Sequence, residues 1–345
     1  MTDSNDKSDS ITVLVDKQVT YFPYDCKWVP SSNRFISVGG FSRGTGILQV
    51  YATTDGVSSV ELLTEAEKAT PIKCATFAGS FPDARHVATG DFEGSLSIWD
   101  PEDLGVPLYT VRDAHRGTIV NAIAGCAEAP GAPEIATGGH DGRACVWDPR
   151  LSTGPVVEIV SKSPDCWCVA LGPYGTDRAL CAGFSDGRVL VYDLRCSAKP
   201  LYERLTGAGV YGLSVGGKME RMYTADAAGN VSVYCCESKF DAVYGKYESA
   251  GRKKTAAAWF AKPVPGNGAV FAAGMGSGAL TLWNVDWEKR EMKMVAERNL
   301  SVKKKAFPVI ALDFSETACR PSSSSSSSAI GVAAVLDGTI KVVKV

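Results

Sequence analysis

His115, Thr137, Asp141 and Trp147 bring an imidazole, a hydroxyl, a carboxylate and an indole N–H together in one short stretch of chain. An acid, a histidine and a hydroxyl are the parts of a nucleophilic triad: the carboxylate orients the imidazole, and the imidazole takes the hydroxyl proton. The same parts also make a purely structural chain of hydrogen bonds. There the carboxylate fixes the histidine tautomer, the histidine meets the hydroxyl, and the hydroxyl meets the indole. A buried chain of this kind is stable only when every member is satisfied. The elements that carry the four residues decide between the two.

Thr137 ends an apolar run, Asp141 sits in a Gly/Asp turn, and Trp147 ends a second apolar run before Asp148. That figure recurs along the whole chain. The clearest copies are 135–148 (IATGGHDGRACVWD), 87–100 (VATGDFEGSLSIWD) and 180–193 (LCAGFSDGRVLVYD), with looser ones at 35–51, 222–234, 271–284 and 332–343. Their closing positions are 51, 99, 147, 192, 234, 283 and 343. A period of roughly 40–45 residues with a Trp-Asp ending is the signature of a WD-repeat β-propeller, one four-stranded blade per repeat. The expected fold is all-β, a single seven-bladed propeller over residues 11–345. Innermost strands are expected at 25–28, 72–77, 119–123, 166–171, 210–215, 256–260 and 309–314. Second strands should end at Val38, Thr89, Thr137, Ala182, Thr224, Ala273 and Ala334, and third strands such as 95–99 and 143–147 look half-buried from their alternation. In WD-repeat proteins the residue types at 115, 137, 141 and 147 form a hydrogen-bonded staple inside a blade. The structural reading is therefore taken and no catalytic residue is assigned. Other repeats keep parts of it, Thr89 with Trp99 and Asp186 with Tyr192.

The last repeat ends directly after its third strand. The alternating Ile11, Val13 and Val15 are expected to supply the missing fourth strand and so remove an exposed edge. Residues 1–10 are polar and read as a disordered tail. Pro321 and the serines at 322–328 cannot bury apolar area and read as a mobile loop.

A net charge of −2 supplies no general attraction for nucleic acid or an anionic membrane. No run approaches the ~18–20 apolar residues of a membrane span, and residues 1–10 lack the apolar core of a signal peptide. The chain is expected to stay in the cytoplasm or nucleus. Eleven cysteines, an odd number, read as free thiols. Cys26, Cys74, Cys145, Cys181 and Cys235 lie in apolar strand runs, where Cys behaves as a small hydrophobe. Neither Cys166/Cys168 nor Cys235/Cys236 has the spacing of a zinc or redox pair, and neither Gly44-Thr45-Gly46 nor the glycines at 274–278 continue into a P-loop. No metal or cofactor is expected. The basic runs at 252–254 and 303–305 read as solvated faces.

A propeller without chemistry works through surfaces. Phe41, Phe92 and Phe184, with Arg43, His140 and Met275, are assigned to the turns between second and third strands, which share one end of the propeller. They are the candidate partner-binding residues. Either the aromatics form an exposed apolar patch or each tucks onto its own blade. At the end of the third repeat, Asp141 with Trp147-Asp148-Pro149-Arg150 fits the box of WD-repeat substrate receptors of cullin-based ubiquitin ligases. In that alternative Arg150 is the adaptor contact.

Several stretches go beyond the repeat consensus: 24–30 (YDCKWVP), 41–51 (FSRGTGILQVY), 71–74 (PIKC), 88–92 (ATGDF), 131–137 (GAPEIAT), 146–150 (VWDPR) and 165–169 (DCWCV). In order, from about residue 20 to 200, they resemble the WD-repeat axonemal dynein assembly factors. Beyond 200 the likeness rests on repeat positions, and the serine tract departs from it. The resemblance implies a seven-bladed, non-enzymatic cytoplasmic adaptor, monomeric within a larger complex. Its implied partners are a prefoldin-like co-chaperone assembly serving the heat-shock protein 90 system and dynein heavy chains as client. It carries over no binding residues.

Overall fold

In a computed structural model, residues 11–345 are described apart from 55–56, 80–83, 127–132, 152–153, 164, 175–176, 196–198, 217–218, 237–240, 247–255, 304–305 and 316–327. The expected tail at 1–10 and nearly all of the serine tract lie outside the described residues, as do the basic positions 252–254.

The described residues form seven four-stranded antiparallel sheets and no α-helix. Six sheets are simple meanders, each taking four consecutive strands. In the seventh, Thr12–Gln18 pairs with Thr339–Lys344, which pairs with Ile330–Val335 and then Val309–Phe314. The first strand of the chain is thus the outer strand of the last blade. It is tied there by Asp16 to Lys341 at 2.6 Å and by the Gln18 amide to the Gly338 carbonyl at 2.8 Å. The first strand of each blade touches that of the next, and Phe22–Trp28 touches Val309–Phe314, so the seven innermost strands close a ring. The architecture is a seven-bladed β-propeller.

Burial explains why the strands differ. Each of seven apolar clusters draws its residues from two neighbouring blades, so each blade is sandwiched between two others. The third strands are consequently not all half-buried as their alternation suggests: 95–99 keeps it in part, with Ser95 and Ser97 partly exposed, and others lose it. Arg143–Trp147 is buried at every position, Arg143 included. The half-exposed alternation belongs mainly to the outer strands, for example Val157–Val160 and Glu291–Asn299.

All seven innermost strands carry a β-bulge, centred on residues 24, 73, 121, 167, 211, 259 and 310. A bulge disrupts the ladder and re-aims a side chain. Donors from the preceding blade reach carbonyls at three of these disruptions. The Cys74 thiol reaches Val120 O at 3.5 Å, the Asn121 amide Cys166 O at 3.1 Å, and the Cys168 thiol Val210 O at 3.5 Å. Asp25 accepts from Ala75 N, Ser214 donates to Ala261 O, Lys262 pairs with Asp313, and Asp313 accepts from Trp28 N. Every blade interface therefore has a polar stitch beside the axis. The thiols of Cys74 and Cys168 are donors there as well as small hydrophobes.

Removing residues 1–18 should leave the strand Thr339–Lys344 as an open edge and promote self-association. Thermal melts and light scattering check this. A truncated protein that melts unchanged and stays monomeric would contradict closure by the N-terminal strand.

Candidate functional site

The staple in blade 3 is complete. Asp141 lies 2.9 Å from His115 Nδ1, His115 Nε2 lies 2.7 Å from Thr137 Oγ1, and Trp147 Nε1 donates to Thr137 Oγ1 at 2.8 Å. A carboxylate only accepts, so Nδ1 carries the proton and Nε2 accepts from the threonine hydroxyl. His115 and Thr137 are both 0 % exposed. Thr137 Oγ1 also accepts the Trp147 N–H and is buried from solvent, so no substrate reaches it and it is not placed as a nucleophile.

Arg143 completes the unit, and sequence reading missed it. Its Nε donates to Asp141 at 2.6 Å, and its guanidinium also reaches Ala114 O and Glu158. Its place opening a strand two residues after a turn aspartate was the available signal. Burial of Asp141 opposes its charge, but the His115 and Arg143 hydrogen bonds outweigh it and hold the carboxyl well below the usual range. Gly139 makes room for the unit, since a Cβ there would sit 2.2 Å from His115 Nδ1. The partial staple of blade 2 is also formed, with Trp99 Nε1 donating to Thr89 Oγ1 at 2.8 Å.

The turn residues divide. Phe184 and Met275 are both 0 % exposed and cannot be surface anchors. The second strands run on past Ala182 and Ala273, and Asp177–Phe184 and Val270–Met275 end on these very residues, which face the inter-blade core. Phe41 and Phe92 are half-buried, Phe41 between Tyr21 and Arg43, and Phe92 against Tyr24 at 5.3 Å. Arg43 is half exposed and engaged by Glu67 at 2.6 Å, and exposed His140 pairs with Asp165. No continuous aromatic patch joins Phe41, Phe92 and Phe184. Arg150 is exposed, with its guanidinium laid on Asp148, as Arg195 is on Asp193.

A channel runs along the axis, a cavity of about 680 Å³ lined mainly by the innermost strands. At the end shared with the turns, all seven bulge residues line it: Tyr24, Lys73, Asn121, Trp167, Tyr211, Trp259 and Ile310. Each is half-exposed. The ring has two unlike sectors. Across blades 4 to 6, Trp167 and Tyr211 lie 5.0 Å apart and Tyr211 stacks on Trp259 at 5.1 Å. Gly212 permits this approach, because a Cβ there would meet the Trp259 carbonyl at 2.6 Å. On blades 6, 7, 1 and 2 the sector is charged. Asp25 holds Lys27 at 2.5 Å and Asp313 holds Lys262. Lys73, its ammonium 5.1 Å from the Tyr24 ring centre, has no carboxylate in ion-pair contact among the described residues. Burial draws its pKa below the ordinary lysine value, against the opposing influence of Cys74 and Asp25. Sequence reading did not single out this ring, because a bulge is a feature of pairing and no one-strand pattern announces it.

The model of the WD domain, G-beta repeat, matches residues 105–148. Relatives named dynein axonemal assembly factor 10 are similar over most of their length. The cattle protein (Bos taurus) is 34 % identical over 295 residues, covering 82 % of this chain and 81 % of its own. The human one is 35 % identical over 299 residues, covering 83 % and 82 %, and the Chlamydomonas reinhardtii one 37 % over 296, covering 80 % of each. A chain in the crystal structure of the mitotic checkpoint complex superposes with a TM-score of 0.69 at 14 % identity, over 99 % of this chain and 96 % of that one. At that identity the likeness is one of fold.

Breaking the staple leaves buried groups unpaired. His115→Ala and Asp141→Ala should each cost about 1–3 kcal/mol. Because the folded state holds the Asp141 carboxyl below its unfolded value, the stability it adds is complete above the unfolded pKa of about 4 and is lost as pH falls through the lower folded one. Asp141→Asn should therefore flatten the acid limb of a stability–pH curve. Unchanged melts for both alanine variants, or an unaltered acid limb for the asparagine variant, would contradict the staple.

Proposed function

The chain belongs to the dynein axonemal assembly factor 10 family, and on that premise we propose that it is a protein-binding scaffold in the assembly of axonemal dynein. The observation that carries this reading is the 33–37 % identity to family members, which in the longer matches extends over about four fifths of the chain. The site geometry supports a non-enzymatic role: the acid–histidine–hydroxyl unit is consumed inside blade 3, which leaves surfaces as the working parts. We take the scaffold to act in the cytoplasm, before motors reach the cilium or flagellum. Dynein heavy chains are its client and a prefoldin-like co-chaperone assembly its helper.

Cells of a flagellated organism lacking this protein should grow normally but lose axonemal dynein heavy chains from the flagellum. Quantitative proteomics of cytoplasm and axoneme tests this, and normal dynein arms in the null line would sink the proposal. The cullin-receptor alternative assigns its adaptor contact to Arg150. On the scaffold reading, Arg150→Ala restores arms to the null line as well as the unaltered protein does. Failure of that variant, with loss of a cullin adaptor from its pull-downs, would favour the alternative.

A further inference from the structure

We propose that the channel mouth is a binding site for an acidic linear peptide. An aromatic or aliphatic side chain of the peptide rests on Trp167, Tyr211 and Trp259, and a carboxylate close to it in sequence pairs with Lys73. This deepens the scaffold reading by naming a surface and a ligand chemistry, and it rests on that reading only in that the chain acts through a protein partner.

Three observations carry the proposal. The first is position. The bulge on each innermost strand brings these side chains to one level at the cavity rim, where Trp167, Tyr211 and Trp259 make one half-exposed aromatic surface over three consecutive blades. Clustered Trp and Tyr beside a pocket are the residues that concentrate binding energy. The second is charge. Asp25 and Asp313, the acids lining the channel, are each taken by a lysine of the same wall, whereas Lys73 meets no carboxylate at ion-pair distance among the described residues. Among the described residues at this mouth, Lys73 is thus a cation without a carboxylate partner, and both lining acids are already paired. A basic guest, which the aromatic rings alone would accept, would face Lys73 without a counter-ion, and an acidic guest supplies what Lys73 lacks. The third is spacing around the ring. Lys73 on blade 2 and Trp167 on blade 4 are separated by the Asn121 position alone, and Asn121 already donates to Cys166 O. One short segment can therefore meet both features.

The test is an affinity selection with the purified full-length protein from a random pool of blocked hexapeptides, followed by sequencing of the bound pool. The expected pool is enriched in Asp or Glu within three positions of an aromatic or aliphatic residue, and its affinity falls with added salt. For a peptide drawn from that pool, Lys73→Gln should weaken binding about tenfold, the loss of one charge-assisted contact. The same variant should bind the glutamine-substituted peptide as the unaltered protein does. Tyr211→Ala should weaken both peptides about tenfold. Melting temperatures of the two variants separate loss of the site from loss of the fold, and Lys73→Arg, which keeps the charge, should retain binding. Enrichment of Lys and Arg, no enrichment at all, or equal binding of the acidic peptide by folded Lys73→Gln would overturn the proposal. So would preferential capture of single-stranded RNA in competition. The selection uses no dynein and no cell, so its failure leaves the assembly reading standing, and normal arms in null cells would leave a peptide site standing.

Discussion

A ring of blades buries all of its faces only if its two ends meet. Each apolar cluster in this chain is shared by two blades, so no blade completes a core by itself. An open arc would leave one face of blade 1 and one of blade 7 in water. The cluster that closes the gap packs Trp28, Phe35 and Tyr51 against Val332, Ile340 and Val342. The backbone closes it too, because Thr12–Gln18 belongs to the seventh sheet while the chain runs straight on into the first strand of blade 1. Burial of apolar area drives the closure, and strand pairing sets its register.

Closure also sets what the axis can present. Seven innermost strands brought together would leave disrupted backbone groups at every bulge facing a cavity, an expensive arrangement unless they are paired. Stitches from the preceding blade meet such a carbonyl at three of the seven bulges, and the stitches at the other interfaces lie elsewhere on the same strands. They use a different residue type at almost every interface: Asp25, Cys74, Asn121, Cys168, Ser214 and the Lys262–Asp313 pair. The two acids of the wall, Asp25 and Asp313, are thereby spent on structure. Lys73 and the exposed faces of Trp167, Tyr211 and Trp259 are the groups the proposed peptide would meet. The staple of blade 3 shows the same economy, with four polar side chains and Arg143 satisfied inside one blade.

Most of the fold was legible because the repeat is carried by local signals. Alternating runs, turn glycines and closing aromatics place the strands, and the expected innermost strands overlap the observed ones in all seven blades. The staple was legible for the same reason, since its residues sit at fixed offsets from strand ends. The errors come from what neighbouring blades impose. Ending the second strands at Ala182 and Ala273 put Phe184 and Met275 in turns, whereas pairing carries both strands two residues further and turns those side chains inward. Alternation in 143–147 suggested a solvent face that the adjacent blade covers. The channel-mouth ring was invisible for a third reason. Its members share a place in the pairing register, not a residue type, and only the assembled ring makes them neighbours.

The central claim is that this propeller serves dynein assembly through a surface, with the channel mouth as that surface. The most direct measurement returns two versions of the protein to a flagellated null line. One is altered at Lys73→Gln with Tyr211→Ala, and the other at Arg43→Gln on the same end but away from the axis. Axonemal dynein heavy chains are then quantified at matched protein levels. The account predicts that the folded mouth variant leaves heavy chains depleted while the Arg43 variant restores them. Full restoration by a mouth variant that is folded and expressed at the native level would contradict it.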